Sequence, residues 1–383
     1  MLSLLAKQRF KQYRVFFLLL LISFSLCIAI MHSFGLFYIN MKEGFIQHSK
    51  LTDVLVGPSQ SQNALFKEGL LLQSSPKAKI PEAVLNKSPY IDSLSPIIFS
   101  DSHRNKTVIA TTDSFFHNLE KKLKATAFDK GRAFRNKEDI VIGATIAKRF
   151  NYKLGKRVEL SHGHGHHHDE VMIVSGILNS TGTVLDNCLF IATEAYESIH
   201  HLKKENKAQF YWISAKKPIF SASIANTFHQ IKGLSALAPA SYIKQYLRSF
   251  TAVKSSITLC LLALIIVFAM QLISMLASLF HSYMKEARVL FTQGSSLLFI
   301  TFSFFLDQCL IIGSSAIIGI SSSIALCSVY SRAIQKITLF PLTHLAFHIG
   351  LYASIIIPLL LLSFLGTAIS LLLWKKHSRS LKI

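Results

Sequence analysis

The sequence predicts a membrane α-helical protein with four transmembrane helices, arranged one plus three, and a mixed α/β extracytoplasmic domain. Residues 15–39, 255–280 and 337–374 contain no Asp, Glu, Lys or Arg. Residues 295–330 carry a single charge, Asp307. Each stretch exceeds the roughly 20 residues that cross about 30 Å of hydrocarbon. A polar segment of about 215 residues, 40–254, follows the first stretch and is long enough for a folded domain.

The predicted organisation places each segment on one side of the membrane or inside it. Transmembrane helices cover 15–39, 255–281, 295–330 and 345–374; the extracytoplasmic domain covers 40–254; an outer loop covers 331–344; and cytoplasmic segments cover 1–14, 282–294 and 375–383. We interpret the first span as an uncleaved anchor, because its uncharged stretch is long for a signal peptide and no A-x-A site follows it.

The basic residues set the predicted orientation. The formal net charge is +21, and basic side chains flank both ends of the chain: Lys7, Arg9, Lys11 and Arg14, then Lys375, Lys376, Arg379 and Lys382. Lys and Arg next to spans mark the cytoplasmic side, so both termini are expected in the cytoplasm and the protein in the cell inner membrane. The distribution argues against a nucleic-acid partner. The domain itself holds 29 Lys+Arg against 18 Asp+Glu, which suits a surface facing anionic headgroups.

The 40–254 segment reads as mixed α/β. Apolar and β-branched runs predict strands over 106–112, 139–143, 157–161, 171–178 and 187–192. Helical spacing of apolar residues predicts helices over 115–126, 144–150 and 194–203. The strands over 157–161 and 171–178 are predicted to pair as a hairpin.

Several short motifs then point to a family. Val141-Ile-Gly-Ala-Thr-Ile-Ala-Lys-Arg149, Leu154-Gly-Lys-Arg-Val158 and Val174-Ser-Gly-Ile177 occur in the domain, and Glu286-Ala-Arg-Val-Leu-Phe-Thr-Gln-Gly294-Ser295 follows the second span. With the one-plus-three topology, they resemble the FtsX/MacB/LolC-like ABC transporter permeases, which carry a MacB-type periplasmic core domain. Nearly the whole chain takes part in this resemblance.

A narrower subset of that family, with a His-rich loop and a possible link to metal acquisition, shows further similarity. The runs that carry it are Leu55-Val-Gly-Pro-Ser-Gln-Ser-Gln62, Gly182-Thr-Val-Leu-Asp186 and Ala195-Tyr-Glu-Ser-Ile-His200. Pro58, Ser59 and Val184 depart from the subset's pattern. The departures leave the cargo open among a lipoprotein, a small molecule and a metal.

The resemblance implies the permease subunit of an ABC transporter. Such permeases work as homodimers or with a paralogous permease, on cytoplasmic ABC ATPases, and some engage a periplasmic binding or adaptor protein. The chain has no G-x-x-x-x-G-K-[ST] loop, so ATP hydrolysis is assigned to a separate subunit and no enzyme activity is expected. The alternative is an FtsX-like scaffold that regulates a periplasmic partner; the length of the domain favours transport.

Two carboxylates outside the domain are candidate functional residues. Glu286, with Arg288 and Gly294, matches the family's ATPase-facing segment and is expected to couple to the ATPase; the alternative is a surface charge with nearby partners. Asp307 lies near mid-membrane, where a charge costs at least about 2.5 kcal/mol, and should face the bundle or a partner chain. It serves either packing or a moving interface. A small-residue face near it includes Gly313, Gly319, Ser314, Ser315, Ser321, Ser322 and Ser323.

A histidine-rich run lies between the two hairpin strands. Its candidate metal ligands are His162, His164, His166, His167, His168, Asp169 and Glu170. Imidazole suits Zn²⁺, and carboxylates can complete the ligand shell. The sequence therefore predicts zinc binding at this loop, against the alternative of a solvated loop that binds metal only incidentally.

Overall fold

The computed structural model describes residues 2–74, 76, 78–85, 88–160, 171–202, 206–249 and 291–338, with scattered residues over 255–290 and 357–369. The chain forms two compact units. The helical unit comprises Met1–Ile39, Thr251–Arg332 and His344–Ile383, and the α/β unit comprises Asn40–Phe250 and Ala333–Thr343.

The described residues form helices of very different lengths. They are α1 (Leu2–Gln12), α2 (Arg14–Ser49), α3 (Gln62–Leu65), α4 (Ser114–Leu123), α5 (Ala144–Phe150), α6 (Thr193–Ile199), α7 (Ser221–His229), α8 (Pro239–Ser249) and α9 (Leu297–Thr338). Two helices of the described part are long and apolar enough to cross a membrane, over Arg14–Ser49 and Leu298–Val329. The other two predicted spans fall mostly outside the described residues, so two of the four expected helices are seen.

The strands of the α/β unit are mostly short. They are β1 (Val54–Pro58), β2 (Ile80–Pro81), β3 (Ile91–His103), β4 (Lys106–Thr111), β5 (Phe128–Gly131), β6 (Asp139–Ile142), β7 (Arg157–Glu159), β8 (Val171–Leu178), β9 (Leu189–Ala192), β10 (Lys207–Ala208), β11 (Phe210–Ala215) and β12 (Leu234–Leu237). Ten of them form one sheet in the order β12-β1-β11-β3-β4-β9-β6-β8-β5, with β7 beside β8. The pairs β4–β9 and β6–β8 are parallel, and the other pairs in this sheet are antiparallel.

Helices cover both faces of the sheet. Alternate side chains point to opposite faces of a strand. One face carries Val108 and Ile140, which belong to the main apolar cluster together with Ile146 of α5 and Phe228 of α7. On the other face, Phe115 of α4 stacks 5.5 Å from Phe190 and lies 5.5 Å from Trp212. Fully burying a side chain of this size contributes about 1.5–3 kcal/mol, so these contacts hold the sheet between its helices.

The structure confirms the mixed α/β reading of this unit. Helix α5 has the predicted bounds, and β7 pairs antiparallel with β8, with Arg157 opposite Ile173. A Cβ on Gly143 would lie 2.4 Å from the backbone oxygen of Leu185, which explains the glycine in the Val141–Arg149 motif. The predicted strands and helices agree with the structure to within a few residues at their ends.

Two long helices extend beyond the predicted spans. The first span was predicted over 15–39, and α2 continues as a helix to Ser49. The third was predicted over 295–330, and α9 continues to Thr338, into the segment predicted as an outer loop. Residues 40–49 of α2 belong to the α/β unit by their contacts.

Candidate coupling site

An ionic cluster in the helical unit joins three distant parts of the chain. The guanidinium of Arg9, in α1, donates to both oxygens of Glu286, with Nη2 2.9 Å from Oε1 and Nε 3.0 Å from Oε2. Its Nη1 donates to Asp307 Oδ2 of α9 at 2.7 Å. The same guanidinium donates to Ser303 Oγ at 3.0 Å and lies 4.7 Å from the Phe304 ring centroid. One cation therefore serves two carboxylates.

Burial makes this cluster energetically important. The side chains of Arg9 and Asp307 are 3% and 0% exposed, and that of Glu286 is 29% exposed. A buried charge pair gains little over an apolar replacement, but removing one partner leaves the other charge uncompensated and costs about 3–5 kcal/mol. The fold of the helical unit thus depends on Arg9 more than on an ordinary terminal charge.

The structure brings Glu286 and Asp307 together through Arg9, for which the sequence predicts only a place among the basic residues before the first span. Arg9 was read as one of four cytoplasmic flanking charges, 298 positions before Asp307. The sequence contained a clue to this contact. A buried acid within a span needs a cation, and four basic residues precede the first span. Asp307 faces its own bundle, since its Oδ2 accepts from Arg9 of the same chain.

Gly294 ends a helical segment. Its φ is +87°, Ser295 N donates to Leu290 O at 2.9 Å, and Gly294 N donates to Phe291 O at 3.0 Å. This is the pattern of a Schellman motif, in which glycine takes the left-handed position after the helix. A Cβ there would meet nothing within 4 Å, so the backbone conformation, not space, favours glycine. Arg288 lies outside the described residues.

One row of residues along α9 contacts α1 and α2 at intervals of four residues or multiples of four. Its members are Ser303, Asp307, Ser315, Gly319 and Ser323. Ser315 Oγ donates to Leu21 O at 3.3 Å, and a Cβ on Gly319 would lie 2.6 Å from Ser25 O. Each step of four residues turns about 40° further around a helix of 3.6 residues per turn, so this row winds around α9. Ser303 and Asp307 contact Arg9 of α1, and Ser315, Gly319 and Ser323 contact α2.

The small-residue face predicted from the sequence is partly confirmed. Ser315, Gly319 and Ser323 contact α2, and Ser323 Oγ lies 2.9 Å from His32 Nδ1. Gly313 has open space where a Cβ would be. Ser314 and Ser322 bond to carbonyls of their own helix instead. The face is therefore narrower than the sequence suggested.

A second buried polar contact holds the end of α2 inside the α/β unit. His48 is fully buried, its Nδ1 lies 2.7 Å from Gly44 O, and its Nε2 accepts from Val184 N at 2.9 Å. Because Nε2 accepts, Nδ1 carries the proton and donates to Gly44. Burial lowers the pKa of His48 to about 4, so the ring is neutral at pH 7. His48 lies nine residues beyond the predicted span.

Aromatic contacts support the same end of α2. Phe45 stacks on Phe66 with ring centroids 6.1 Å apart, and Phe66 lies 5.2 Å from Tyr242 of α8. Phe45 and Phe66 are buried. The last turns of α2 are thus packed into the α/β unit on two sides, at Val184 and at Phe66.

The predicted metal ligands between 162 and 170 lie outside the described residues. Within the ranges that the structure describes, no group of three or more His, Cys, Asp or Glu could hold a metal ion. The predicted zinc loop therefore stays a prediction.

Comparison with known proteins gives one family. Residues 17–228 match the profile of the MacB-like periplasmic core domain. That match covers more than half of the chain and runs from α2 into α7. No curated protein matches the chain closely enough to be significant.

The solved structures that are similar to part of the chain are distant in sequence. The periplasmic region of MacB from Actinobacillus actinomycetemcomitans is 13% identical, with 51% of this chain and 92% of that chain covered and a TM-score of 0.35. The extracellular domain of YknZ from Gram-positive bacteria is 11% identical, with 48% and 98% covered and a TM-score of 0.32. A domain of a permease protein from Porphyromonas gingivalis is 11% identical, with 49% and 91% covered and a TM-score of 0.32. At these scores no argument rests on the structural likeness.

Proposed function

Because the chain belongs to the MacB-like periplasmic core domain family, it has a permease-type role, and we propose that it is the permease subunit of an ABC transporter. It works with a separate cytoplasmic ABC ATPase and pairs with a second copy or a paralogous permease in the inner membrane. It passes ATP-driven motion to the α/β unit, which handles cargo. The observation that carries the proposal is the profile match, which begins in an apolar helix and continues through the α/β unit.

Helix α2 supports the mechanical part of the proposal. Its 36 residues span about 54 Å at 1.5 Å per residue, more than the roughly 30 Å of hydrocarbon. The same helix begins in the helical unit and ends in the α/β unit. A continuous helix resists compression along its axis, and the contacts of His48 and Phe45 hold its last turns in the α/β unit. A displacement of α2 along its axis would therefore move or break the hydrogen bond between Val184 N and His48 Nε2.

The ATPase contact is proposed for the 282–294 segment. Arg9 engages Glu286 within the helical unit, so the carboxylate is not simply a solvent-facing charge. Val289 and Phe291 are 54% and 52% exposed in the same segment, and exposed apolar side chains are typical of protein interfaces. We assign them the contact with the ATPase, with Gly294 ending the helix that presents them.

Co-purification tests the ATPase contact. The full chain is co-expressed with the candidate ABC ATPases of its own genome, and the retained ATPase is measured after membrane solubilisation. Val289→Ser and Phe291→Ser should each lower the retained ATPase severalfold, because they remove apolar contact area without touching Arg9. Ile219→Ser is the matched control, since Ile219 is an exposed apolar residue of the α/β unit, 81% exposed. Equal retention by all three variants would reject the segment as the contact.

An FtsX-like scaffold is the other outcome of a functional test. Cells carrying the chain and its ATPase would be assayed for loss of a transported or released cargo on depletion, and for loss of wall-hydrolase control. A cargo defect supports the permease; a wall defect with no cargo defect supports the scaffold.

Metal handling at the histidine-rich loop is a separate part of the proposal. Five imidazoles with Asp169 and Glu170 would bind Zn²⁺. Calorimetry on the full chain in detergent tests it against a variant with all five histidines changed to Ser. Zinc binding should be lost in the variant and should weaken below about pH 6, because protons compete for imidazole. Equal binding by both proteins would reject the loop as the site.

A further inference from the structure

Three aromatic rings meet at one place on the α/β unit. Phe150 ends α5, Tyr152 follows it, and His103 ends β3. The ring centroids of Phe150 and Tyr152 are 6.0 Å apart. The ring centroid of His103 lies 5.9 Å from that of Tyr152 and 6.5 Å from that of Phe150. His103 Nε2 lies 2.7 Å from the Tyr152 hydroxyl, and its Nδ1 lies 2.6 Å from the Glu159 carbonyl oxygen. The rings are thereby fixed in place.

Three cations lie over the Phe150 and Tyr152 rings, and a fourth, Lys106, is opposite His103 in the β3–β4 pairing. The guanidinium carbons of Arg104 and Arg149 lie 5.0 Å and 5.5 Å from the Phe150 centroid, and the Lys156 ammonium lies 4.9 Å from the Tyr152 centroid. Lys106, two residues after Arg104, is half-buried. Burial, followed by the nearby Arg149, lowers the pKa of Lys106. Arg104, Lys106, Arg149 and Lys156 are called the basic cluster below.

Among the described residues, the basic cluster has no carboxylate paired with it. In the part of the chain that the structure describes, none of its four side chains is within 4.0 Å of a carboxylate. Glu159 is close enough to influence His103, but it forms no ion pair with the cluster. Like charges near one another, one of them partly desolvated, cost free energy.

These observations suit a bound anion. Arginine matches the oxygens of phosphate with two parallel hydrogen bonds, and lysine adds a point charge. A phosphate group carries nearly two negative charges near neutral pH, which offsets several cations at once, whereas a single carboxylate offsets one. We propose that the basic cluster is a binding site for a phosphate-bearing anion. The site is independent of the permease role and uses none of the residues assigned to coupling.

Thermal unfolding and calorimetry test the site. The full chain, in an uncharged maltoside detergent, is titrated with inorganic phosphate and, at the same ionic strength, with acetate. Phosphate should raise Tm more than acetate does, and part of that difference should disappear in Lys106→Gln. Binding to the folded state adds stability, whereas the exclusion of phosphate from the protein surface acts on both proteins alike. Lys106→Gln and Arg149→Gln should each weaken phosphate binding about tenfold, the scale of one lost charge-assisted hydrogen bond.

The controls separate binding from general charge effects. Lys244→Gln, at an exposed lysine of α8, removes the same charge elsewhere and should leave phosphate binding unchanged. Without phosphate, Lys106→Gln should be at least as stable as the wild type, since it relieves repulsion. Equal Tm shifts from phosphate and acetate, or equal phosphate binding by Lys106→Gln and Lys244→Gln, would overturn the proposal.

A second arm identifies the source of the phosphate. Glycerol 3-phosphate serves as a soluble probe, and micelles doped with phosphatidic acid serve as a lipid probe. A Lys106-dependent response to glycerol 3-phosphate supports a soluble ligand, and a Lys106-dependent response to phosphatidic acid alone supports a lipid headgroup. No Lys106-dependent response to inorganic phosphate, glycerol 3-phosphate or phosphatidic acid would overturn the site.

Discussion

The helical unit buries a guanidinium between two carboxylates, whereas the α/β unit buries a neutral imidazole between two backbone groups. Arg9 engages Glu286 and Asp307 through charge-assisted bonds. His48 uses one ring nitrogen as donor to Gly44 O and the other as acceptor from Val184 N. Both contacts satisfy polar groups away from water, but only the first depends on charges compensating one another.

Because one contact is charged and the other is neutral, different changes should break them. Losing one charge of a buried pair leaves the other uncompensated, so the penalty is large. A neutral contact fails when the ring gains a proton, because the protonated Nε2 can no longer accept from Val184 N. The first contact should therefore respond mainly to substitution, and the second also to pH.

Removing Arg9 should have the largest effect. Arg9→Ala leaves Asp307 buried without its cation and should destabilise the full chain by about 3–5 kcal/mol. Thermal unfolding in detergent and the yield of folded protein measure this. Arg14→Ala, at an exposed cation near the start of α2, is the control and should change stability by less than about 0.5 kcal/mol.

A double variant sharpens the same point. Arg9→Met with Asp307→Leu removes both charges and should regain part of the stability lost in Arg9→Ala, because apolar side chains tolerate this burial. A double variant no more stable than Arg9→Ala, or equal stability of Arg9→Ala and Arg14→Ala, would show that charge compensation does not dominate here.

A larger side chain between α2 and α9 should have the next largest effect on stability. A Cβ on Gly319 would lie 2.6 Å from Ser25 O and 3.0 Å from Ile28 Cβ, whereas one on Gly313 would meet nothing within 4 Å. Gly319→Ala should therefore cost about 1–3 kcal/mol by overpacking, and Gly313→Ala should cost little. Both are compared by unfolding in detergent. Equal costs would contradict the α2–α9 approach at Gly319.

Acid should weaken the His48 contact. The pKa of His48 is lowered to about 4, below the roughly 6.5 of an unfolded chain. The neutral ring is therefore favoured by folding, and its stabilising contribution is complete above about pH 6.5 and is lost progressively as the pH falls toward 4. At pH 5 the loss is about 2 kcal/mol.

Hydrogen exchange at the Val184 amide measures that loss. Exchange, corrected for its intrinsic pH dependence, should accelerate between pH 7 and pH 5 in the wild type. His48→Gln, which cannot titrate, should show a smaller change over the same interval. Identical pH profiles for the two proteins would remove His48 as the cause.

Removing one charge of the cluster while keeping an acceptor should have the smallest effect. Asp307→Asn retains an oxygen for Arg9 Nη1, and Arg9 still pairs with Glu286. The expected loss is about 1 kcal/mol, the difference between a charge-assisted and a neutral hydrogen bond, with transport intact. Unfolding and a transport assay test it; loss of transport in a stable protein would assign Asp307 to a moving interface.

The sequence predicted some residues and elements of these regions and not others, and each outcome has a physical reason. Asp307 stood out because a charge within a span is costly, and α5 was bounded correctly because glycine precedes it and Asn151 adopts a left-handed φ after it. The contacts of Arg9 were not predicted because its partners are nearly 300 positions away. His48 left no signal, since a neutral buried histidine looks like any polar residue. Strands β1, β11 and β12 were missed because their pairing joins segments far apart in the chain.

The proposed permease role requires the chain to carry motion from an ATPase to its α/β unit. Hydrogen exchange of the full chain in complex with its ATPase, compared in ATP and in ADP, tests this most directly. We expect ATP to change exchange at the end of α2 and at Val184, and His48→Gln to reduce the change at Val184 while the ATPase stays bound. Nucleotide-dependent exchange confined to residues 282–294, with the α/β unit identical in both states, would contradict it.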